Sequence, residues 1–193
     1  MYTEFFGLKE LPFNVTSDPE FFYLTEGHKE ALAHLLYGVS QRKGIVVLTG
    51  EIGTGKTTLC RYFLGQLGNR VKTALILNPC LSESQLLEAI IADFGIRVRK
   101  PSRLKLISEL NAFLMREAQA GNTVVLIVDE AQSLKPHILE QIRQLSNLET
   151  EKDKLLQVVL SGQPELDEKL NLHRLRQLRQ RCMVRCDIKP LSS

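Results

Sequence analysis

Four short stretches of this chain, residues 45–49, 73–77, 124–128 and 157–161, are dominated by apolar residues at consecutive positions, and 183–188 is read as a fifth strand. Strict alternation would mark strands wetted on one face; unbroken apolar runs such as Val124-Val125-Leu126-Ile127-Val128 predict strands buried on both. Between them apolar residues recur at helical spacing. A helix is predicted over 30–41 and another from Leu59 to Leu64. Ser82-x-x-Gln85 forms a capping box ahead of Leu86, Leu87, Ile90 and Ile91. Ser102 precedes a helix carrying Leu104, Ile107, Leu110 and Leu114, which stops near Gly121. Ile138, Leu139, Ile142, Leu145 and Leu148 predict a helix over 133–148, with Pro136 tolerated in its first turn. Strands alternating with helices define an α/β fold, a parallel sheet of about five strands covered on both sides.

Length and composition suit one such domain. The 193 residues include 44% hydrophobic residues, enough for a sizeable core. The sequence has no internal repeat, low-complexity tract or linker, so residues 1–193 are expected to form a single domain. Within it, 1–43 is an N-terminal aromatic segment with a helix, and 44–193 is the α/β core. The longest apolar runs are strand length, which predicts no membrane span. Met1-Tyr2-Thr3-Glu4 lacks the basic-then-apolar layout of a signal peptide, so a cytoplasmic location is expected. Cys60, Cys80, Cys182 and Cys186 have no C-x-x-C spacing and are expected to be reduced packing thiols. A net charge of +3 is too small to argue for nucleic acid by itself.

The strongest chemical signal is Gly50-Glu51-Ile52-Gly53-Thr54-Gly55-Lys56-Thr57-Thr58, which matches G-x-x-x-x-G-K-[ST] between a predicted strand and a predicted helix. Glycines let the backbone curl so that successive N–H groups face phosphate oxygens, and the helix N-terminus adds partial positive charge there. Lys56 is placed to reach β- and γ-phosphates, and the Thr57 hydroxyl to ligate Mg2+. The pattern predicts binding of a nucleoside triphosphate.

A second constellation separates hydrolases from kinases. The central run 124–128 ends in Asp129-Glu130. An aspartate at the carboxyl end of such a strand can hold Mg2+ together with Thr57, and Glu130 can polarise an attacking water. A nucleoside kinase has no use for a water-activating glutamate at that point.

With these motifs the chain resembles the AAA+ ATPases of the general secretion pathway protein A (ExeA) type over nearly its whole length. The resemblance is carried by Phe5-Phe6-Gly7-Leu8, Pro12-Phe13, Asp18-Pro19, the phosphate loop, Val128-Asp129-Glu130-Ala131-Gln132, and Glu140-x-x-Arg143-x-Leu145-Ser146-Asn147-Leu148-Glu149-Thr150. Gly162-Gln163-Pro164-Glu165-Leu166 and Leu175-Arg176-Gln177-Leu178-Arg179-Gln180-Arg181 complete it. It implies a three-layer P-loop NTPase of the ASCE type, with ATP and ADP as ligands and Mg2+ as cofactor. It also implies roles for single residues. Gln163 falls where this class places its γ-phosphate-sensing polar residue, with Ser161 as the alternative. Asn78 matches a residue that holds the catalytic glutamate away from water until a partner binds. Arg181, with Arg179 as runner-up, is the arginine that would enter a neighbouring subunit's site, and its always-charged planar fork suits phosphate oxygens. Some member of Phe21 to Leu24 would contact adenine. AAA+ proteins continue into a helical lid, and this chain stops at Pro190-Leu191-Ser192-Ser193, where the lid would begin. The expectation is therefore a core without its lid, able to form a ring in full-length form.

Three tasks are open at this point. The first is assembly or remodelling of a secretion or cell-envelope complex, with full-length relatives anchored at the inner membrane. The second is a DNA-binding regulatory ATPase of the transposition type, using basic residues such as Arg174, Arg176 and Arg179. The third is a nucleotide-gated switch that hardly hydrolyses ATP.

Overall fold

The computed structural model describes residues 5–7, 22–77, 81–149 and 154–190. Its elements run α1 (Glu26–Ser40), β1 (Ile45–Gly50), α2 (Lys56–Gln66), β2 (Val71–Ile76), α3 (Glu83–Asp93) and α4 (Arg103–Gln119). They continue through β3 (Thr123–Val128), a 3-10 turn (Ala131–Ser133), α5 (Pro136–Leu145), β4 (Leu156–Gly162), α6 (Glu165–Leu170), a second 3-10 turn (His173–Leu175), α7 (Arg176–Arg181) and β5 (Cys182–Ile188). The five strands form one sheet in the order β2-β3-β4-β1-β5. Every pairing is parallel.

Alternate side chains of each central strand enter opposite cores. Ile45 and Val47 of β1, Val124, Leu126 and Val128 of β3, and Leu156, Val158 and Leu160 of β4 face the helices α3 to α7. Val46, Leu48, Val125, Ile127 and Val159 face α1 and α2, where Leu35 and Phe63 are fully buried. The unbroken apolar runs thus reflect a sheet sandwiched between two helical layers, as the pattern predicts.

Local chemistry explains where several helices start. Ser82 accepts from Gln85 N while the Gln85 side chain accepts from Ser82 N, so the predicted capping box is present. Ser102 caps α4 by accepting from Lys105 N, without a reciprocal bond. The predicted helix over 133–148 is divided instead: a 3-10 turn, an extended Lys135, then α5 with Pro136 in its first turn. Proline biases its predecessor away from the helical region, which enforces that break. Leu104, counted in the apolar face of α4, is 81% exposed; Leu106, Leu110, Phe113 and Leu114 form the buried face. The arginine-rich segment 174–181 comprises most of a 3-10 turn followed by a single short helix.

Cys182 and Cys186 illustrate a long-range effect on register. Residues four apart on a regular strand share a face, yet Cys182 packs in one core and Cys186 in the other. The register shift between Ile45 and Val46, where β5 carries an extra residue, turns the strand over.

Candidate active site

The loop joining β1 to α2 leaves the carboxyl edge of the sheet at a strand flanked by β4 and β5. Gly53 and Gly55 adopt left-handed backbone, with φ of 80° and 82°. A Cβ at Gly55 would also stand 3.1 Å from the Phe22 ring and 3.2 Å from His28 Nε2, so glycine is needed for both conformation and space. Gly55 is the N-cap of α2 and supplies no side-chain acceptor, leaving the first-turn N–H groups of the helix available to an anion. Lys56 is buried and its Nζ donates to the carbonyls of Gly50 and Glu51, each at 2.8 Å.

Asp129 leaves the end of β3 in a dense set of hydrogen bonds. Its Oδ2 accepts from Thr57 Oγ1 at 2.5 Å, and its Oδ1 accepts from Ser161 Oγ at 2.7 Å and Glu130 N at 3.0 Å. The phosphate loop and the β3 carboxylate are therefore joined through hard oxygen donors, the ligand type that Mg2+ prefers. Ser161, fully buried, is committed to Asp129. Of the two candidates at the end of β4, Gln163 is the one that lines the cleft.

Glu130 follows in a left-handed conformation, φ 52°. Such backbone costs a non-glycine residue about 1–3 kcal/mol and concentrates at functional sites. Glu130 and Gln163 line one side of a cleft of about 490 Å3, with Ile52, Gly53, Gly55, Lys56, Thr57 and Thr58 on the other. A larger cleft of about 560 Å3 lies between Ser82–Ser84 and Ser133, Lys135 and His137. The smaller one is the candidate site, because there a lysine, hydroxyls and a carboxylate converge on a phosphate-loop backbone.

His28, which no motif of the sequence singles out, has a definite structural task. Thr25 caps α1 by accepting from His28 N, and Thr25 N donates back to His28 Nδ1. The other ring nitrogen lies 2.8 Å from Thr54 O. A carbonyl only accepts, so Nε2 carries the proton and Nδ1 accepts from Thr25. Phe22 packs edge-on against His28 at 4.8 Å. The aromatic segment thereby braces the phosphate loop from behind; the signal in sequence was the T-x-x-H spacing at a helix start.

The remaining assignments divide clearly. Asn78 and Phe21 lie outside the described residues, as does Cys80. Arg181 immediately precedes Cys182, which pairs with Ile45, whereas Gly50 pairs with Ile188. A strand of six residues, roughly 20 Å, thus separates Arg181 from its own phosphate loop. Arg179 donates to Asn171 Oδ1 at 3.1 Å. Cys60, Cys182 and Cys186 are free and buried, and burial pushes their thiols up to about 12, 11 and 12. No described helix is long and apolar enough to cross a membrane.

A three-layer parallel sheet with a phosphate loop after β1 and an Asp-Glu pair after β3 defines the core of a P-loop nucleoside triphosphatase. The chain belongs to the AAA domain family, whose model matches residues 39–170. It is 51% identical over all 193 residues to general secretion pathway protein A of Aeromonas hydrophila, and covers 35% of that protein. Among solved structures it is similar to Cdc6p of Pyrobaculum aerophilum, with TM-score 0.72 and 19% identity over 94% of this chain and 49% of that one. The ADP form of Aeropyrum pernix ORC2 gives TM-score 0.70 and 18% identity over 92% of this chain and 51% of that one. The chain thus spans about a third of its Aeromonas relative, and the two structures support the fold alone.

Proposed function

We propose that this domain binds Mg-ATP and hydrolyses it to ADP and phosphate, as the motor core of a protein that assembles or remodels a secretion or cell-envelope complex. The observation that carries the enzymatic reading is the 2.5 Å contact between Thr57 and Asp129, with Glu130 and Gln163 lining the same cleft as Lys56.

In this reading the backbone of residues 50–58 and the start of α2 hold the phosphates, and Lys56 exchanges its loop carbonyls for β- and γ-phosphate oxygens. Thr57 and Asp129 would hold Mg2+, which when bound offsets phosphate charge. Glu130 accepts a proton from water as the water oxygen bonds to the γ-phosphorus. The bond from that phosphorus to the bridging oxygen breaks, and ADP leaves with the electron pair. Gln163 faces the γ-phosphate. Arg181, remote from its own cleft, serves a neighbouring subunit in a homo-oligomeric ring, and some member of Phe21 to Leu24 contacts the adenine. Asn78 keeps the restraining role that the family resemblance implies.

The task in secretion rests on the 51% identity to the Aeromonas protein. The nucleic-acid alternative gains less: Glu165, Asp167 and Glu168 of α6 dilute the basic residues of α7, and Arg185 is paired with Asp167. Lys56→Ala tests the site. It removes the cation of the phosphate loop and should abolish binding of a labelled ATP analogue, and unchanged affinity would refute the assignment.

A further inference from the structure

Gln132 sits in the 3-10 turn that follows Glu130, and its side-chain amide spans two strand ends. Nε2 donates to Glu130 Oε2 at 2.6 Å, and Oε1 accepts from the main-chain N–H of Gln163 at 3.1 Å. The orientation of this amide is determined by its partners. A carboxylate can only accept and a backbone N–H can only donate, so the reversed amide would face like against like at both ends. Three further features hold Gln132 in place. Lys169 of α6 donates to the carbonyl of Gln132 and, at 2.8 Å, to that of Leu134. Ser133 Oγ donates to Glu130 O at 2.7 Å, closing the turn. A Cβ at Gly162 would stand 2.8 Å from Gln132 Oε1, so the amide occupies space that only a glycine leaves open.

We propose that Gln132 is a positioning residue for hydrolysis: its amide ties the Glu130 carboxylate to the main chain at Gln163, so that the base and the γ-phosphate-facing end of β4 move together. The inference rests on Glu130 being the base. Occupying Oε2 fixes the carboxylate rotamer and leaves Oε1 to receive the proton of the attacking water. Glu130 has left-handed backbone, a conformation that persists where the surroundings hold it. A shift of Gln163 on meeting a γ-phosphate moves the N–H that holds Gln132, and with it the base. The amide thus gives this site a route from phosphate contact to base alignment that does not pass through Asn78.

The test uses the full-length protein and four variants: Gln132→Leu, Gly162→Ala, Glu130→Gln, and Gln132→Leu combined with Glu130→Gln. Leucine keeps the bulk of Gln132 without its hydrogen bonds; alanine at 162 leaves Gln132 in the sequence but displaces its amide. Both should lower kcat about 10- to 100-fold, the factor of a hydrogen bond to a charged group. Affinity for a non-hydrolysable ATP analogue should stay within about twofold of wild type. In the Glu130→Gln background the leucine should cause no further loss, because the two residues act as a unit. Wild-type kcat in both Gln132→Leu and Gly162→Ala would overturn the proposal. So would an undiminished leucine effect in the Glu130→Gln background, which would mark Gln132 as a structural brace. Normal turnover in Glu130→Gln alone would instead overturn the base assignment, and this inference with it.

Discussion

Truncating His28 to alanine removes the link between the aromatic segment and the phosphate loop. The side chain is 7% exposed, and its Nε2 donates to Thr54 O at 2.8 Å. Without that donor the Thr54 carbonyl is under-satisfied in a buried setting, a cost of about 1–3 kcal/mol. The capping box at the start of α1 loses its reciprocal bond to Thr25 N, worth about 0.5–1 kcal/mol. The edge-on contact with Phe22 adds about 0.5–1 kcal/mol. Together His28→Ala should destabilise the domain by about 2–5 kcal/mol, which for a domain of this size lowers Tm by roughly 4–20 °C. Thr25→Ala, which removes only the cap, should cost about 1 kcal/mol. Urea unfolding followed by far-UV circular dichroism measures both. Titration with a fluorescent ATP analogue should also show weaker binding for His28→Ala, since the loop carrying Thr54 is no longer pre-organised. A His28→Ala protein within about 0.5 kcal/mol of wild type, with unchanged affinity, would refute the brace.

Further outcomes concern the proposed trans arginine and the buried thiols. If Arg181 acts on a neighbouring subunit as proposed, Arg181→Ala should leave nucleotide affinity of the monomer nearly intact, yet lower turnover of the assembled full-length protein by a factor approaching 10³–10⁵, the range typical of arginine fingers. Mixing it with Glu130→Gln should restore partial activity; equal turnover of Arg181→Ala and wild type would move the role to Arg179. The buried thiols of Cys60, Cys182 and Cys186 should resist alkylation at neutral pH, and rapid labelling of the native protein would contradict their burial. Their folded values lie above the ordinary 9.0, so the stability they contribute is complete below that pH and is lost as pH rises toward 11 to 12. Unfolding midpoints recorded between pH 8 and 11 should therefore decline.

Strands and phosphate loop were legible because their signals are local. The five predicted strands fell on five strands with ends displaced by one or two residues, and the glycines of residues 50–55 match the backbone found there. The Thr57–Asp129 contact was also legible, since the fold brings both strand ends to one edge of the sheet. Less was visible wherever a residue's partner lies far along the chain. Nothing in the spacing of β5 announces the register shift that sends Cys182 and Cys186 to opposite faces. Gln132 read as part of a motif, but its bond to Gln163 depends on β3 and β4 being neighbours. Leu104 matched helical periodicity and is nevertheless exposed, because period alone does not say which stripe meets the sheet. Pro136 was correctly admitted to a first helical turn, while its effect on Lys135 shortened the helix it begins.

The central claim, that this cleft hydrolyses ATP with Glu130 as the base, is tested most directly by phosphate release from Mg-ATP in full-length wild-type and Glu130→Gln proteins under matched nucleotide occupancy. The amide preserves shape, and Asp129 keeps its bonds to Thr57 and Ser161, so occupancy should be retained. Turnover should fall by about 10²–10⁴, the loss expected when a general base is removed. Equal phosphate release by the two proteins would contradict the claim and move the base elsewhere.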